Sequence, residues 1–325
     1  MSMDDLSLQA KNDRKRKISN LFYSYYSVLL LIVMVIVFSI LAPNFGTADN
    51  FVVILRQTVI VEVVTLGMTF AITAGQIDLS VGGIIALGSM VAALALKAGM
   101  GIFLSSLLAI LTGAVFGLIN GVLIAKAKMP AFLVTLGTSS IASGIAMTVT
   151  KQRPVPLFDP NFALIWGNYE VGPIPMLVIW WLLAFVVCYY VYQFTPFGNY
   201  VRAVGGNRTA AKYTGINTTK IIIIVMVISG ALAGLCALLM TSRVNQGRCD
   251  VGADSAMDAI TATVLGGTSF AGGKGSIPTA MVGALVMSVL TNALVILGVP
   301  TTVQAIIKGA IILIAVAVSD NNKKS

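Results

Sequence analysis

The chain is dominated by apolar runs too long and too uniform for a water-soluble core. Stretches of about 20 mostly apolar residues, the length a helix needs to cross a bilayer, recur from residue 25 to residue 318. Ten can be drawn: 25–42, 52–74, 79–97, 102–125, 131–150, 175–192, 221–241, 256–271, 276–297 and 302–318. Two of them, 79–97 and 256–271, are interrupted by Gly with Asp or Ser, so each is expected to be a broken or partly re-entrant helix. Composition agrees: 57% of residues are hydrophobic, only 10% are charged, and the mean hydropathy is +0.93. A soluble domain carries about 25% charged residues to face water. An all-α, polytopic integral membrane protein of about ten helices is expected.

Charge placement sets the expected orientation. Residues 1–20 are polar and end in Lys11, Arg14, Lys15, Arg16 and Lys17. A basic start can belong to a signal peptide, but no small-residue cleavage site follows before Pro43, so a cytoplasmic tail and a retained first helix are expected. Lys126, Lys128, Lys323 and Lys324 then fall inside. The 193–220 loop does too, with Arg202, Arg208, Lys212 and Lys220 and no acid. The 151–174 loop and the Arg248–Asp254 segment fall outside. Both termini are expected in the cytoplasm, with one membrane domain over 21–320 and a short tail at 321–325. The net charge of +9 follows from this bias, and no nucleic-acid partner is needed to explain it. Trp166, Trp180 and Trp181 are expected either at the outer membrane interface or against an extracytoplasmic protein.

Several chemistries are excluded. There is no histidine, so no His-based acid–base chemistry. Cys188, Cys236 and Cys249 form no CxxC pair, so neither a metal site nor a disulfide framework is expected. No GxxxxGK[ST] run occurs, so ATP would be hydrolysed by a partner and this chain is expected to bind no cofactor. The two longest loops, at about 24 and 28 residues, are too small to bury a core.

Four segments carry the polar signals. Gly75–Gly83 joins two apolar stretches and puts Asp78 near membrane depth. Asp78 or Ser80 can N-cap the next helix, and the glycines permit a turn and close helix approach. It is a capped turn that can also line a path. In 52–74, Arg56 lies near the outer end and can snorkel, while Glu62 sits deep and calls for a partner on another helix or a proton or cation site. Asp258–Gly275 is glycine-rich but lacks the spacing of a phosphate loop; a hairpin re-entering the membrane with Lys274 at the cytoplasmic edge fits better. In the cytoplasmic loop, Asn207 can cap a short helix at 208–214 that Gly215 ends. Such a helix suits docking to a cytoplasmic partner; a basic loop on lipid headgroups is the other reading. Segments two to five and seven to ten also read as repeats five helices apart, hence inverted.

Three motifs then stand in order: GQIDLSVGG at 75–83, AVGGN-x-x-AA-x-x-x-GI at 203–216 and DAI-x-A-x-VLGGTS-x-AGGKG at 258–275. Together they resemble the permease subunits of ribose-type sugar ABC importers, over about Leu41 to Asp320. The resemblance implies a multi-pass protein of the bacterial inner membrane that works as a homodimer or pseudo-dimer. Its implied partners are a cytoplasmic ABC ATPase and an extracytoplasmic sugar-binding protein. It also implies a transport role and no catalysis by this chain. The segment Gly206, Asn207, Arg208, Thr209, Ala210, Ala211, Lys212 and Gly215 would couple to the ATPase. Thr209 departs from the family, where many relatives carry Glu, which puts the identity of the ATPase partner in question. Gln57, Thr69, Thr73, Asp78, Ser80, Asn120 and Asn292 are the expected polar lining of a sugar path, each with helix–helix hydrogen bonding as its alternative.

Overall fold

A computed structural model describes residues 26–157, 159–172 and 174–321; the basic tail and the C-terminal tail lie outside these. Among the described residues the protein is helical, with only two-residue strand pairs. The helices are α1 Tyr26–Leu41, α2 Ala48–Thr73, α3 Val81–Lys97, α4 Ile102–Ala125, α5 Ala131–Thr150, α6 Pro160–Ala163, α7 Met176–Phe194, α8 Pro196–Gly206, α9 Arg208–Tyr213, α10 Thr218–Val244, α11 Ser255–Leu265, α12 Ile277–Ile296 and α13 Thr301–Asn321. Six of them (α2, α4, α5, α7, α10 and α12) are long and apolar enough to cross a membrane, and four shorter apolar helices accompany them. The protein is therefore a multi-pass membrane protein.

The two doubtful spans are shorter than drawn. Residues 74–80 are not helical, and α3 starts only at Val81. Helix α11 has 11 residues and stops at Gly266, so its length of about 16 Å covers half of a hydrocarbon core of about 30 Å. Glycine accounts for both interruptions: Gly75 (φ +73°) and Gly267 (φ +85°) take left-handed conformations that a β-carbon would strain. Two expectations about caps are corrected. Ser80 precedes α3 without a side-chain cap, and Asp78 accepts from the Ser80 N–H (2.9 Å) in a turn before the helix.

Two helices form the centre. Helix α10 packs along α4 and α3, while α2 packs along α12 and α11, and α2 and α10 cross each other. Lipid is as apolar as leucine, so close van der Waals contact has to supply the adhesion between helices. Small residues supply that closeness. A β-carbon on Gly113 would lie 2.0 Å from the Gly230 carbonyl oxygen, and one on Gly230 would lie 2.1 Å from that of Gly113. Outward faces are apolar instead, as with Phe103, Leu111 and Val115 on α4 and Leu183, Val186 and Val187 on α7. A face of this kind belongs in lipid or against another subunit.

Loops gather at two ends. Val155–Pro156 pairs antiparallel with Gln246–Gly247, so the 151–174 and 245–254 loops share one end. At the other, Arg208 reaches the Ala125 carbonyl (3.4 Å), joining α9 to the end of α4. Trp166 departs from its expected interface position: it is buried, donates to Ser106 Oγ (2.8 Å) and stacks on Trp180 at 4.4 Å.

Candidate functional site

The polar residues expected at membrane depth fall into separate groups. Asp78, Ser80 and Asn120 come together, all fully buried. Thr138 on α5 donates to Asn120 Oδ1 (2.7 Å), and Asn120 on α4 donates to Ser80 Oγ (2.8 Å). Ser80 Oγ donates in turn to Asp78 Oδ1. From α10, Ser229 donates to Asp78 Oδ2 (2.6 Å). The Asp78 carboxyl thus accepts from Ser80 and from Ser229 of α10, and a relay from Thr138 of α5 through Asn120 of α4 reaches it by way of Ser80. Ser229 is 11 residues into the 27-residue helix α10, about 17 Å along its axis, so the 74–80 segment carries Asp78 to near the middle of that helix. Non-helical backbone at that depth is tolerated only where protein or a cavity satisfies it, and here side chains do so.

The other expected path residues lie elsewhere. Thr69 is buried and donates to the Thr65 carbonyl of its own helix (2.7 Å). Thr73, at the end of α2, meets the Tyr192 hydroxyl at 3.2 Å. Asn292 on α12 exchanges two amide hydrogen bonds with Asn50 on α2, at 3.1 and 3.0 Å, and so clamps the start of α2 to the last turns of α12. Gln57 is half-buried on α2.

The charged residues of α2 separate as their spacing requires. Arg56 does not simply snorkel: its guanidinium pairs with Glu170 of the 151–174 loop. Glu62 is buried, and neither a salt bridge nor a side-chain hydrogen bond links it to another described residue, so the partner expected on another helix is absent among them. One ion pair was missed in the sequence. Lys308 of α13 donates to Asp258 of α11 at 3.0 Å, both side chains 17% exposed. A lone lysine in the last apolar stretch was the available signal. In the 245–254 loop, the Arg248 guanidinium donates to Asp250 (2.8 Å) and holds that carboxyl below its ordinary range.

The 195–217 segment is built as its residues dictate. Asn207 Oδ1 accepts from the Ala210 N–H (2.9 Å) and starts α9. Gly215 leaves the helix at φ +85°. Arg208, Thr209, Lys212 and Tyr213 are exposed, and Tyr213 is 87% so, while Ala211 is buried beneath them. Ala210 is exposed, and so is Gly206 at the end of α8. Helix α8 was not foreseen. Pro196 at its start and Gly198, Val201 and Val204 on one buried face were its legible signs.

Residues 50–316 match the family described as the permease component of branched-chain amino acid transport systems. The ribose import permease protein of Haemophilus influenzae is 39% identical over 300 residues, 91% of this chain and 92% of that one. The D-allose transport system permease protein of Escherichia coli is 34% identical over 300 residues, covering 91% and 92%. The xylose transport system permease protein of Haemophilus influenzae is 30% identical over 373 aligned positions, covering 95% and 99%. No solved structure matches the chain. With a family match over most of its length and relatives of this identity aligned nearly end to end, the chain belongs to this family of transport permeases.

Proposed function

We propose that this chain is the membrane-spanning subunit of an ATP-binding-cassette importer and forms the path for a monosaccharide. The observation that carries the reading is the near full-length similarity to permeases named for ribose, allose and xylose. All three are small neutral polyols. A neutral solute needs hydrogen-bonding and small side chains along its way and no counter-ion, and the polar positions of this chain suit that need. The sugar would be delivered outside by a binding protein and moved at the expense of ATP hydrolysed by a separate cytoplasmic ATPase. A second copy of the chain completes the pore.

In this reading ten helices cross or partly cross the membrane, both termini are cytoplasmic, and the 21–320 region is one permease domain. The packing supports an inverted repeat: α10 lies on α3 and α4, and α2 lies on α11 and α12. Each long first helix therefore packs on the second and third helices of the other repeat, with α2 and α10 crossing between them. Each repeat holds an interruption beside its second helix, 74–80 before α3 and 266–276 after α11, and broken elements are a recurrent feature of transporters. Helix α9 with its cap and its exposed basic face is the dock for the ATPase. Thr209 there replaces a negative charge, which shifts the dock toward an ATPase groove that does not require it.

Affinity purification of the complex from gentle detergent tests the reading. A two-nucleotide-site ATPase is expected to co-purify, and Gly215→Pro is expected to release it, because proline cannot adopt φ +85°. Purification of the chain alone, with solute uptake that follows an ion gradient and ignores ATP, would overturn it.

A further inference from the structure

We infer that Tyr192, Gly205 and Gly273 form a bracket that ties the cytoplasmic helices α8 and α9 to both helix interruptions at once, making them positioning residues for transport. The inference rests on the reading of α9 as the ATPase dock and adds the route by which docking would be felt inside the membrane.

Tyr192 is 1% exposed near the end of α7. Its backbone is pressed against α8: a β-carbon on Gly198 would lie 1.7 Å from the Tyr192 carbonyl oxygen. Its ring carries the Arg202 guanidinium of α8 at 4.8 Å from the centroid. At the far end, its hydroxyl donates to the Gly275 carbonyl (2.9 Å) and accepts from Thr73 Oγ1 (3.2 Å). One side chain therefore touches α8 with its face, and joins the last residue of α2 to the loop before α12 with its tip.

The second link is backbone on backbone. A β-carbon on Gly205, near the end of α8, would lie 1.8 Å from the Thr73 carbonyl oxygen and 2.8 Å from the Gly273 nitrogen. The Gly273 N–H donates to that same Thr73 carbonyl (2.9 Å). One on Gly272 would lie 2.7 Å from the Gly205 carbonyl oxygen and 3.1 Å from Gly75 Cα. Three chain segments meet with no side chain between them to rotate away. Contacts this close transmit displacement rather than absorb it.

The topology gives the bracket its consequence. Beyond Thr73 runs the 74–80 segment, which ends at the Asp78 network. The 266–276 loop joins the half-helix α11 to α12. A shift of α8 and α9 on the ATPase thus reaches one interrupted element in each half of the chain. The glycine pairs of the second and third sequence motifs, at 205–206 and 272–273, face each other across this contact. That gives the GGKG run a mechanical role in place of phosphate binding.

The test uses the whole complex in proteoliposomes, with ATPase and binding protein, and reads sugar imported per ATP hydrolysed. Tyr192→Phe keeps the ring against Phe70, at 5.2 Å, and against Arg202, and removes only the bridging hydroxyl. The complex is expected to assemble and hydrolyse ATP, with import per ATP falling about fivefold, the weight of one hydrogen bond. Gly205→Ala is expected to uncouple further; Tyr192→Phe alone suffices where that variant does not fold. An unchanged ratio in Tyr192→Phe overturns the bracket, even if total import falls through lower complex yield. A chain that captures no ATPase without any substitution defeats the docking reading itself, and the bracket with it.

Discussion

At the residue scale, the account turns on Asp78. A buried carboxyl beside a glycine turn in an apolar chain was legible in the sequence, because so few acids occur there. Its partners were not. Ser229 lies 151 positions away, in a helix so apolar that one serine gives no periodic signal. Ser229→Ala should lower the stability of the purified protein by about 1 kcal/mol, the range of a single hydrogen bond between membrane helices. Thermal unfolding in detergent checks this. Thr69→Val should be nearly silent in the same assay, since its hydroxyl serves only its own helix. An equal loss for both would mean that the network around Asp78 is no more than ordinary packing. The same contrast bears on the expected path residues: Asn120 and Ser80 are engaged with protein, and a sugar would have to displace those bonds to reach them.

Among elements, helix existence was readable from apolar length, and most ends fell within a few residues of the drawn limits. The exceptions share a cause. Left-handed glycines lie in the interruptions beside α3 and α11, Gly75 after the end of α2 and Gly267 after the end of α11, and hydropathy alone does not register backbone conformation. Helix α8 escaped because its buried face is made of glycine and valine, which read as loop composition. Helix α11 also depends on a contact no local pattern reveals, the ion pair of Asp258 with Lys308. Removing one partner, as in Lys308→Met, leaves the other charge half-buried and unpaired and should cost about 1–3 kcal/mol, less than a fully buried pair would. The double variant Asp258→Leu with Lys308→Met should recover most of that loss. Denaturation of the three variants in one detergent decides it: if the double variant is as damaged as the single one, the pair is not the reason for the damage. At the proposed dock, Asn207→Ala removes the α9 cap and should weaken that helix by about 1 kcal/mol, seen as reduced ATPase recovery.

For the whole molecule, orientation and mechanism are the open quantities that matter. The loops at 151–174 and 245–254 share one end, bound by the Val155–Gly247 pairing, while α9 lies at the other beside Ala125. Tyr169→Cys should therefore react with a membrane-impermeant maleimide added to intact cells. Tyr213→Cys, whose position is 87% exposed, should react only after permeabilisation. The reverse pattern would invert the topology and move the dock outside. Charge placement in the sequence is the ground for this expected orientation, because lysine and arginine mark the side that does not cross. It could not carry the helix packing that makes α2 and α10 the core, which depends on glycines contacting across the fold.

The most direct measurement is solute uptake by proteoliposomes holding this chain with its ATPase and binding protein. Ribose, allose and xylose are to be offered in turn, each with an ionophore present. The account predicts that one of them accumulates only with ATP inside the vesicle-coupled complex and is indifferent to the ionophore. Uptake by the chain alone that collapses with the ionophore and needs no ATP would contradict it, and would turn attention to Glu62, the buried acid of α2.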